Sequence, residues 1–385
     1  MFALDQDKTL EAYRRNGWKI LGYFCSYTPE ELFYARKILP VRIFPKSTGN
    51  FNLADKYFPG YTCSFGRSAL NALLSGDFDF CDGFFFSSTC DTIRCLIHHC
   101  RRRYPDKLFP HLTIPSKAYS QEGYQFLHGE LLQLERYLDE AFGAVDAAAL
   151  GDVMRLYREN RALVRDVVAI RMREPGLVPA ATMNQIYRYN MWMDKETANR
   201  TLRRFLSRLT EAGCRGSEKP KLFVLGNCCG NNEILEFMEG CGCRVVNDLL
   251  ASGNKYFCDV EEQQTALHSI AYRMHQKTHC PIKVYGEAQH RERMLSCTEE
   301  AILGSGADGI VVLGQKFCDP HGLEKPFLLP RLKSLGLPVL ELESEQDLSN
   351  KSQLETRLEA FLEMIERRES ESVGPIEQHT ATGAV

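Results

Sequence analysis

The sequence predicts an α/β protein in which two α/β domains with parallel sheets flank a helical domain, and three observations carry that reading. A strand, turn, helix, strand pattern occurs twice, at residues 19–44 and 221–246. Each copy is followed by an Asp-Gly turn, a short apolar run and a Cys-Asp pair: CDGFFFSSTCD at 81–91 and ADGIVVLGQKFCD at 307–319. Residues 120–213, by contrast, repeat their apolar positions at intervals of three and four, the period of a helix. Strands alternating with helices imply parallel sheets joined by right-handed crossovers.

In chain order, the first domain spans residues 1–119 and includes an N-terminal helix. Its repeat unit reads KILGYFCSY as strand, TPEELFYARKIL as helix and PVRIF as strand. The helical domain, 120–213, holds YQFLHGELLQLERYLDEAF, LGDVMRLYRENRALVRDVVAI and ETANRTLRRFLSRLTEAG, with a break at 173–181 where two prolines and a glycine fall. The segment CRGSEK (214–219) leads into the second α/β domain, 214–370, whose unit reads KLFVLGN, CCGNNEILEFMEGC and GCRVV. After a last helix at about 351–368, residues 371–385 lack periodicity and are expected to be disordered.

Composition narrows the class. A chain of 385 residues with 44% hydrophobic content can build two or three packed units. A net charge of −3 gives no basis for a nucleic-acid partner, and the run Arg101-Arg102-Arg103 reads as a solvated helix end. No apolar stretch approaches the roughly 18 residues of a membrane span. Residues 1–19 lack the apolar centre of a secretory signal, so a cytoplasmic location is expected.

Fifteen cysteines are many for such a chain, but their odd number and irregular spacing argue against a disulfide framework. No CxxC occurs, which removes zinc-ribbon and ferredoxin-type patterns. Cys90, Cys95 and Cys100 recur every five residues, a step of about 140° on a helix, so they cannot share one face; Cys95 and Cys100 read as packing residues. Cys90 and Cys318 each stand where a buried strand ends, and ligands of open α/β sheets gather outside the carboxyl ends of the strands. They are candidates for one shared site.

The segments GYFCSYTPEELFYARKILPVRIF, YTCSFGRSALNALLSGDFDFCDGFFFSSTCDTIR and ADGIVVLGQKFCDPHGLEKPFL resemble the iron–sulfur subunits of the 2-hydroxyacyl-CoA dehydratase and benzoyl-CoA reductase family. The match covers nearly the whole chain and keeps the family's order: a cysteine before an R-S helix start, a CD after the first Asp-Gly strand, and an F-C-D-P after the second. The resemblance implies two Rossmann-like domains and a helical one holding a [4Fe–4S] cluster in the cleft between domains. It places the cluster thiolates on Cys63, Cys90 and Cys318. Thiolates are the ligands such clusters require, and three of them leave one iron open. The alternative for each is a small buried hydrophobe, which is the reading favoured for Cys81, Cys228, Cys229, Cys241 and Cys243.

Further roles follow from the same resemblance. In CSYTPEE, Ser26 and Thr28 are suited to cap the helix that Pro29 opens, with Glu30 and Glu31 in its first turn. The resemblance turns this loop toward the cluster, giving Ser26 a contact with the open iron or its water and Glu30 a proton to handle. Arg67-Ser68 is an anion contact or a helix start. The turn GNCCGNN at 226–232 offers amides to a phosphate but lacks G-x-G-x-x-G and a Walker lysine. Asp248 falls at the family's acid after the second helix and is expected to shape the interdomain cleft. His321 reads as a hydrogen-bond donor or an exposed side chain. Arg36-Lys37 departs from the family, where a small residue and glycine are usual.

The resemblance implies an acyl-CoA substrate, a related second subunit or a second copy of this chain, and an ATP-hydrolysing iron–sulfur activator that delivers single electrons. The expected reaction is loss of water from a 2-hydroxyacyl-CoA through a ketyl radical, and this chain resembles the smaller subunit. Three alternatives stand beside it: an aryl-CoA reductase subunit, a homodimeric double-cubane reductase, and a non-catalytic electron relay.

Overall fold

The computed structural model describes residues 1–372 apart from 3–4, 46–48, 116–118, 212–218, 227–232, 278, 284–286 and 346–347. Asp5 caps the first helix, α1 (Gln6–Arg15), by accepting the Lys8 amide. The first sheet comprises β1 (Lys19–Tyr23), β2 (Ile38–Arg42), β3 (Gly83–Ser87) and β4 (His111–Leu112), connected through α2 (Glu30–Tyr34), α3 (Ser64–Ser75) and α4 (Asp91–Arg103). Helices α5 (Gln121–Phe142), α6 (Ala147–Arg173), α7 (Ala180–Asn190) and α8 (Lys195–Glu211) follow. The second sheet comprises β5 (Lys221–Gly226), β6 (Arg244–Leu250), β7 (Gly309–Gln315) and β8 (Val339–Ser344), with α9 (Glu233–Gly240), α10 (Ala266–His275), α11 (Ala288–Leu303), α12 (Asp319–Ser334) and the final α13 (Lys351–Ser372).

The two sheets have one topology. Each has four parallel strands, ordered β2-β1-β3-β4 and β6-β5-β7-β8. The chain leaves β1 toward β2 on one side and later enters β3 on the other, and the second sheet repeats this around β5. Such a reversal opens a crevice at the carboxyl ends of the two central strands.

The repeated Asp-Gly is a clamp. Asp82 accepts the Ile20 amide at 2.7 Å, and Asp308 accepts the Lys221 amide at the same distance. The amide of each aspartate returns a bond of 2.8 Å to the carbonyl of Ile20 or Lys221. Each motif thereby locks the start of one central strand to the next. Glycine follows because space is lacking: a Cβ on Gly83 would stand 2.6 Å from the Leu108 carbonyl oxygen, and one on Gly309 would stand 2.6 Å from Ile365 Cδ1.

The first sheet is buried on both faces, as parallel sheets are. Ile20, Val41 and Phe84 pack with Leu70 of α3 and Leu96 of α4. On the other face Leu21, Tyr23 and Phe85 join one continuous core with Leu131, Val164, Ile186 and Leu202 of α5–α8 and with Ile270 of α10. In β5 the alternation is strict: Leu222 and Val224 face α9 and α13, while Phe223 and Leu225 face α11 and α12.

Three expectations change. The helix expected over 28–39 ends at Tyr34, and Lys37 sits at a φ of 56°, a left-handed conformation that glycine holds without strain. Its neighbour Arg36 pairs with Asp139, so packing against α5 holds the turn that a glycine would otherwise relax. Helix α7 follows the break expected at 173–181 and lies in the region expected to be helical; its short apolar face, Met183, Ile186 and Tyr187, is fully buried. Cys95 is exposed rather than packed, whereas Cys100 is buried. The last helix runs on to Ser372; the tail from 373 onward, and Cys228 and Cys229 in the turn after β5, lie outside the described residues.

Candidate functional site

The three cysteines singled out in the sequence stand at equivalent places. Cys63, Cys90 and Cys318 are the N-cap residues of α3, α4 and α12. All three meet in one apolar cluster, Cys63 8% exposed and the other two half-buried against it. Three helix N-termini therefore point their free amides and positive dipole ends at three thiols, an arrangement that favours anionic sulfur. The amides of Ile93 and Thr92 act on Cys90 in this sense, and the His321 amide acts on Cys318.

Specific contacts bring these helix starts together. Gln315, at the end of β7, donates to Ser64 Oγ at 2.7 Å and so ties the end of the second sheet to the residue beside Cys63. Thr92, two residues after Cys90, lies 4.0 Å from Cys63 Sγ. A Cβ on Gly66 would fall 2.1 Å from Thr92 Cγ2 and 3.6 Å from Cys63 Sγ. Gly66 thus lets the first turns of α3 and α4 touch. The variant Gly66→Ala is expected to force them apart, destabilising the protein by about 1–3 kcal/mol as overpacking does and lowering whatever iron the protein carries. Thermal unfolding and iron analysis of the variant check both, and an unchanged pair of values would remove Gly66 from this role.

Burial dominates the chemistry of the thiols. It pushes Cys90 up to about 12, with the amide of Ile93 pulling down and charge on Cys63 and Cys25 pushing further up. Cys318 is raised well above its ordinary value by burial and then by Cys63. Without a cation, burial favours the protonated form of Cys90 and Cys318; a bound metal would displace those protons. Among the described residues no three His, Cys, Asp or Glu side chains stand close enough to hold a single metal ion. A cubane asks for something different, because each thiolate takes its own iron at a separate corner and the sulfurs stand further apart than ligands of one ion. Three soft thiol ligands packed against one apolar cluster fit that group. Cys25, which follows β1 and whose charge reaches Cys90, is a fourth thiol at the rim that its sequence setting did not single out.

Ser26 and Glu30 line one cavity together with Lys195, Arg273, Tyr157 and Tyr256. The loop between β1 and α2 delivers both, but not as caps. Pro29 is the N-cap residue of α2 and makes no side-chain bond, and Thr28 Oγ1 turns back to the Cys25 carbonyl at 2.7 Å. The two glutamates are buried ion-pair members. Glu31 accepts Arg161 Nη1 at 3.0 Å and Arg273 Nη2 at 2.8 Å on both oxygens, and Arg161 continues to Asp259 at 3.1 Å. Glu30 faces Lys195 Nζ at 3.6 Å.

The adjacent carboxyls are driven in opposite directions. Burial raises Glu30, and Lys195 only partly offsets it. Burial also pushes Glu31 up, but Arg273 and Arg161 outweigh it and leave Glu31 below its ordinary 4.5. Arg161 is itself drawn down by burial and by Arg273, yet a guanidinium stays charged, so the direction on Glu31 stands. Such a split is how paired carboxyls acquire distinct roles.

Other expected contacts resolve differently. Arg67 is engaged by Asp55, through Nε at 2.9 Å and Nη2 at 2.7 Å, and lies over the Phe51 ring, so it is not a free anion contact. His321 is half-buried, its Nδ1 3.3 Å from Glu324. Asp248 is fully buried and accepts Tyr187 Oη at 3.0 Å and the Asn254 amide, binding α7 to β6.

A family model described as the 2-hydroxyglutaryl-CoA dehydratase D-component matches residues 25–365. The lactoyl-CoA dehydratase beta subunit of Anaerotignum propionicum is 26% identical over 367 residues, covering 94% of this chain and 96% of that one. The (R)-2-hydroxyglutaryl-CoA dehydratase beta subunit of Acidaminococcus fermentans is 24% identical over 360 residues, 92% and 95% of the two chains. A benzoyl-CoA reductase subunit of Thauera aromatica is 25% identical over 356 residues, 90% and 91%. No described helix is long and apolar enough to cross a membrane.

Proposed function

We propose, from the premise that the chain belongs to the 2-hydroxyglutaryl-CoA dehydratase D-component family, that it is the [4Fe–4S] subunit of an acyl-CoA dehydratase. The observation that carries this is the convergence of Cys63, Cys90 and Cys318, each at the N-cap position of a helix, in one apolar cluster. These three would hold the cluster and leave one iron without a protein thiolate. Bound there, it would supply single low-potential electrons to the thioester of a 2-hydroxyacyl-CoA.

The chain's own groups divide the remaining work. The apolar cluster against which the thiols pack limits the water that reaches them. Ser26 lines the cavity it shares with Glu30. Glu30, raised by burial, holds a proton closer to neutrality than an exposed carboxyl does and is the group that would give or take one beside Ser26. Lys195, buried and facing Glu30 across 3.6 Å, positions that carboxyl. Relatives named as beta subunits support a second, related subunit as partner, and electron supply would come from a separate ATP-hydrolysing activator.

A reductase of aryl-CoA thioesters is the second reading, favoured by the similarity to the benzoyl-CoA reductase subunit at nearly the same identity. Anaerobic purification decides the core of the proposal. A brown protein with about four irons and matching acid-labile sulfide per chain is expected, and a colourless, iron-free one overturns it. Addition of a 2-hydroxyacyl-CoA or an aryl-CoA to the complex with its partner and activator then separates the two reactions by product.

A further inference from the structure

The second sheet has a cavity of its own. It lies at the carboxyl ends of β5, β6 and β7, where Gly226, Leu249 and Gly314 stand, and Lys255, His279 and Glu324 enclose it. It leaves about 20 Å³ for the centre of a water-sized group. That is room for a compact ion of a few heavy atoms and not for a nucleotide.

The polar groups around this space are unusual. Lys255 is 6% exposed, and among the described residues its side-chain nitrogen has neither a hydrogen bond nor an ion pair. Burying such a group without a partner is costly, which marks it as waiting for one. Lys325 arches over Gly314, its Nζ 3.2 Å from where a Cβ on that glycine would be. Glu324 is the carboxylate lining this space; Lys325 also pairs with Glu341 at 3.8 Å, so Lys255 is the lysine here with no ion pair among the described residues.

An acceptor faces the same space. Thr298 Oγ1 donates to the Met294 carbonyl at 2.9 Å, so toward His279 Nδ1, also at 2.9 Å, it accepts. The Nδ1 proton is therefore used, and His279, which burial holds down at about 3, stays neutral. Among the described residues its Nε2 has no hydrogen-bond partner and keeps a lone pair. A metal ion is a poor candidate, since no three His, Cys, Asp or Glu side chains among the described residues cluster to hold one.

We propose that this cavity binds a small protonated oxyanion of the hydrogen-phosphate class, its charged oxygen on Lys255 and its hydroxyl on His279 Nε2. The site is separate from the thiol cluster, and its readout needs neither iron nor turnover.

Titration calorimetry of the full chain, anaerobic, at neutral pH and constant ionic strength, tests it with inorganic phosphate as the probe. One saturable phosphate site is expected, with sulfate at least about tenfold weaker because it has no proton to give and leaves a buried acceptor unpaired. The variant Lys255→Met is expected to weaken phosphate by more than about tenfold, and to fold, since an apolar side chain of similar shape replaces an unpaired buried cation. His279→Leu should bring phosphate down to the level of sulfate. Absence of saturable phosphate binding, equal affinity for sulfate, or unchanged affinity in Lys255→Met each overturns the proposal. The phosphate-to-sulfate comparison uses the unmodified chain and decides the matter even if a variant does not fold.

Discussion

Replacing Cys90 or Cys318 by Ser is expected to remove most of the iron that the anaerobically purified protein carries, whereas Cys95→Ser leaves the content unchanged. Cys90 and Cys318 sit at helix starts within reach of each other's charge and that of Cys63. Cys95 lies further along α4 with its side chain in solvent. A hydroxyl replaces the thiol's volume but is a harder, far less acidic ligand, so iron–sulfur binding suffers while the fold does not. Cys63→Ser belongs with the first pair. Iron and sulfide analysis, with circular dichroism as a control for folding, reads the result. Equal losses in Cys90, Cys318 and Cys95 variants would mean that iron loss reports general instability and that the ligands are elsewhere.

Replacing Glu31 by Gln is expected to cost about 3–5 kcal/mol of stability, the range for removing one partner of a buried ion pair. Glu31 has no exposed surface, and its loss leaves Arg161 and Arg273 facing each other across a space where a neutral amide neither balances their charge nor accepts both forks. The pH dependence has a definite sign. Because the folded carboxyl lies below its ordinary 4.5, its contribution is fully present above that value and drains away as pH falls below it. Glu30, raised instead, works the other way: what its folded-state proton contributes is lost as pH rises through its folded value. Melting temperatures of the wild type and Glu31→Gln, stepped from pH 7 to well below 4.5, check this. The gap between the two should be widest at neutral pH and narrow in acid; a gap independent of pH would remove the ion pair as the cause.

Much of the architecture was legible because its signals are local. The strand-helix-strand units are written in short apolar runs and helical spacings, and the sheets β2-β1-β3-β4 and β6-β5-β7-β8 repeat as the sequence repeats. The Asp-Gly of each copy fell at a strand start, and the Cys-Asp at the next helix start. The capping role expected for Ser26 and Thr28 was not met, because the residues competing for that loop are remote. Arg161 and Arg273 lie 130 and 242 positions from Glu31. No periodicity links them, and only packing reveals that two acids at a helix start are buried counter-ions rather than dipole decoration.

What the sequence by itself determined is the alternation of strands and helices, the duplication, and the placing of Cys63, Cys90 and Cys318 at points where the chain turns from strand or loop into helix. These depend on neighbours a few residues apart. The tertiary structure alone decided that the three helix starts meet, through Gln315 on Ser64 and Gly66 under Thr92. It alone decided that Glu30 and Glu31 take opposite shifts, and that Lys255 is buried beside His279 with no hydrogen bond or ion pair to its side chain among the described residues. Each of these depends on burial and on charges brought together from distant parts of the chain, and desolvation and Coulomb interaction act through space rather than along sequence.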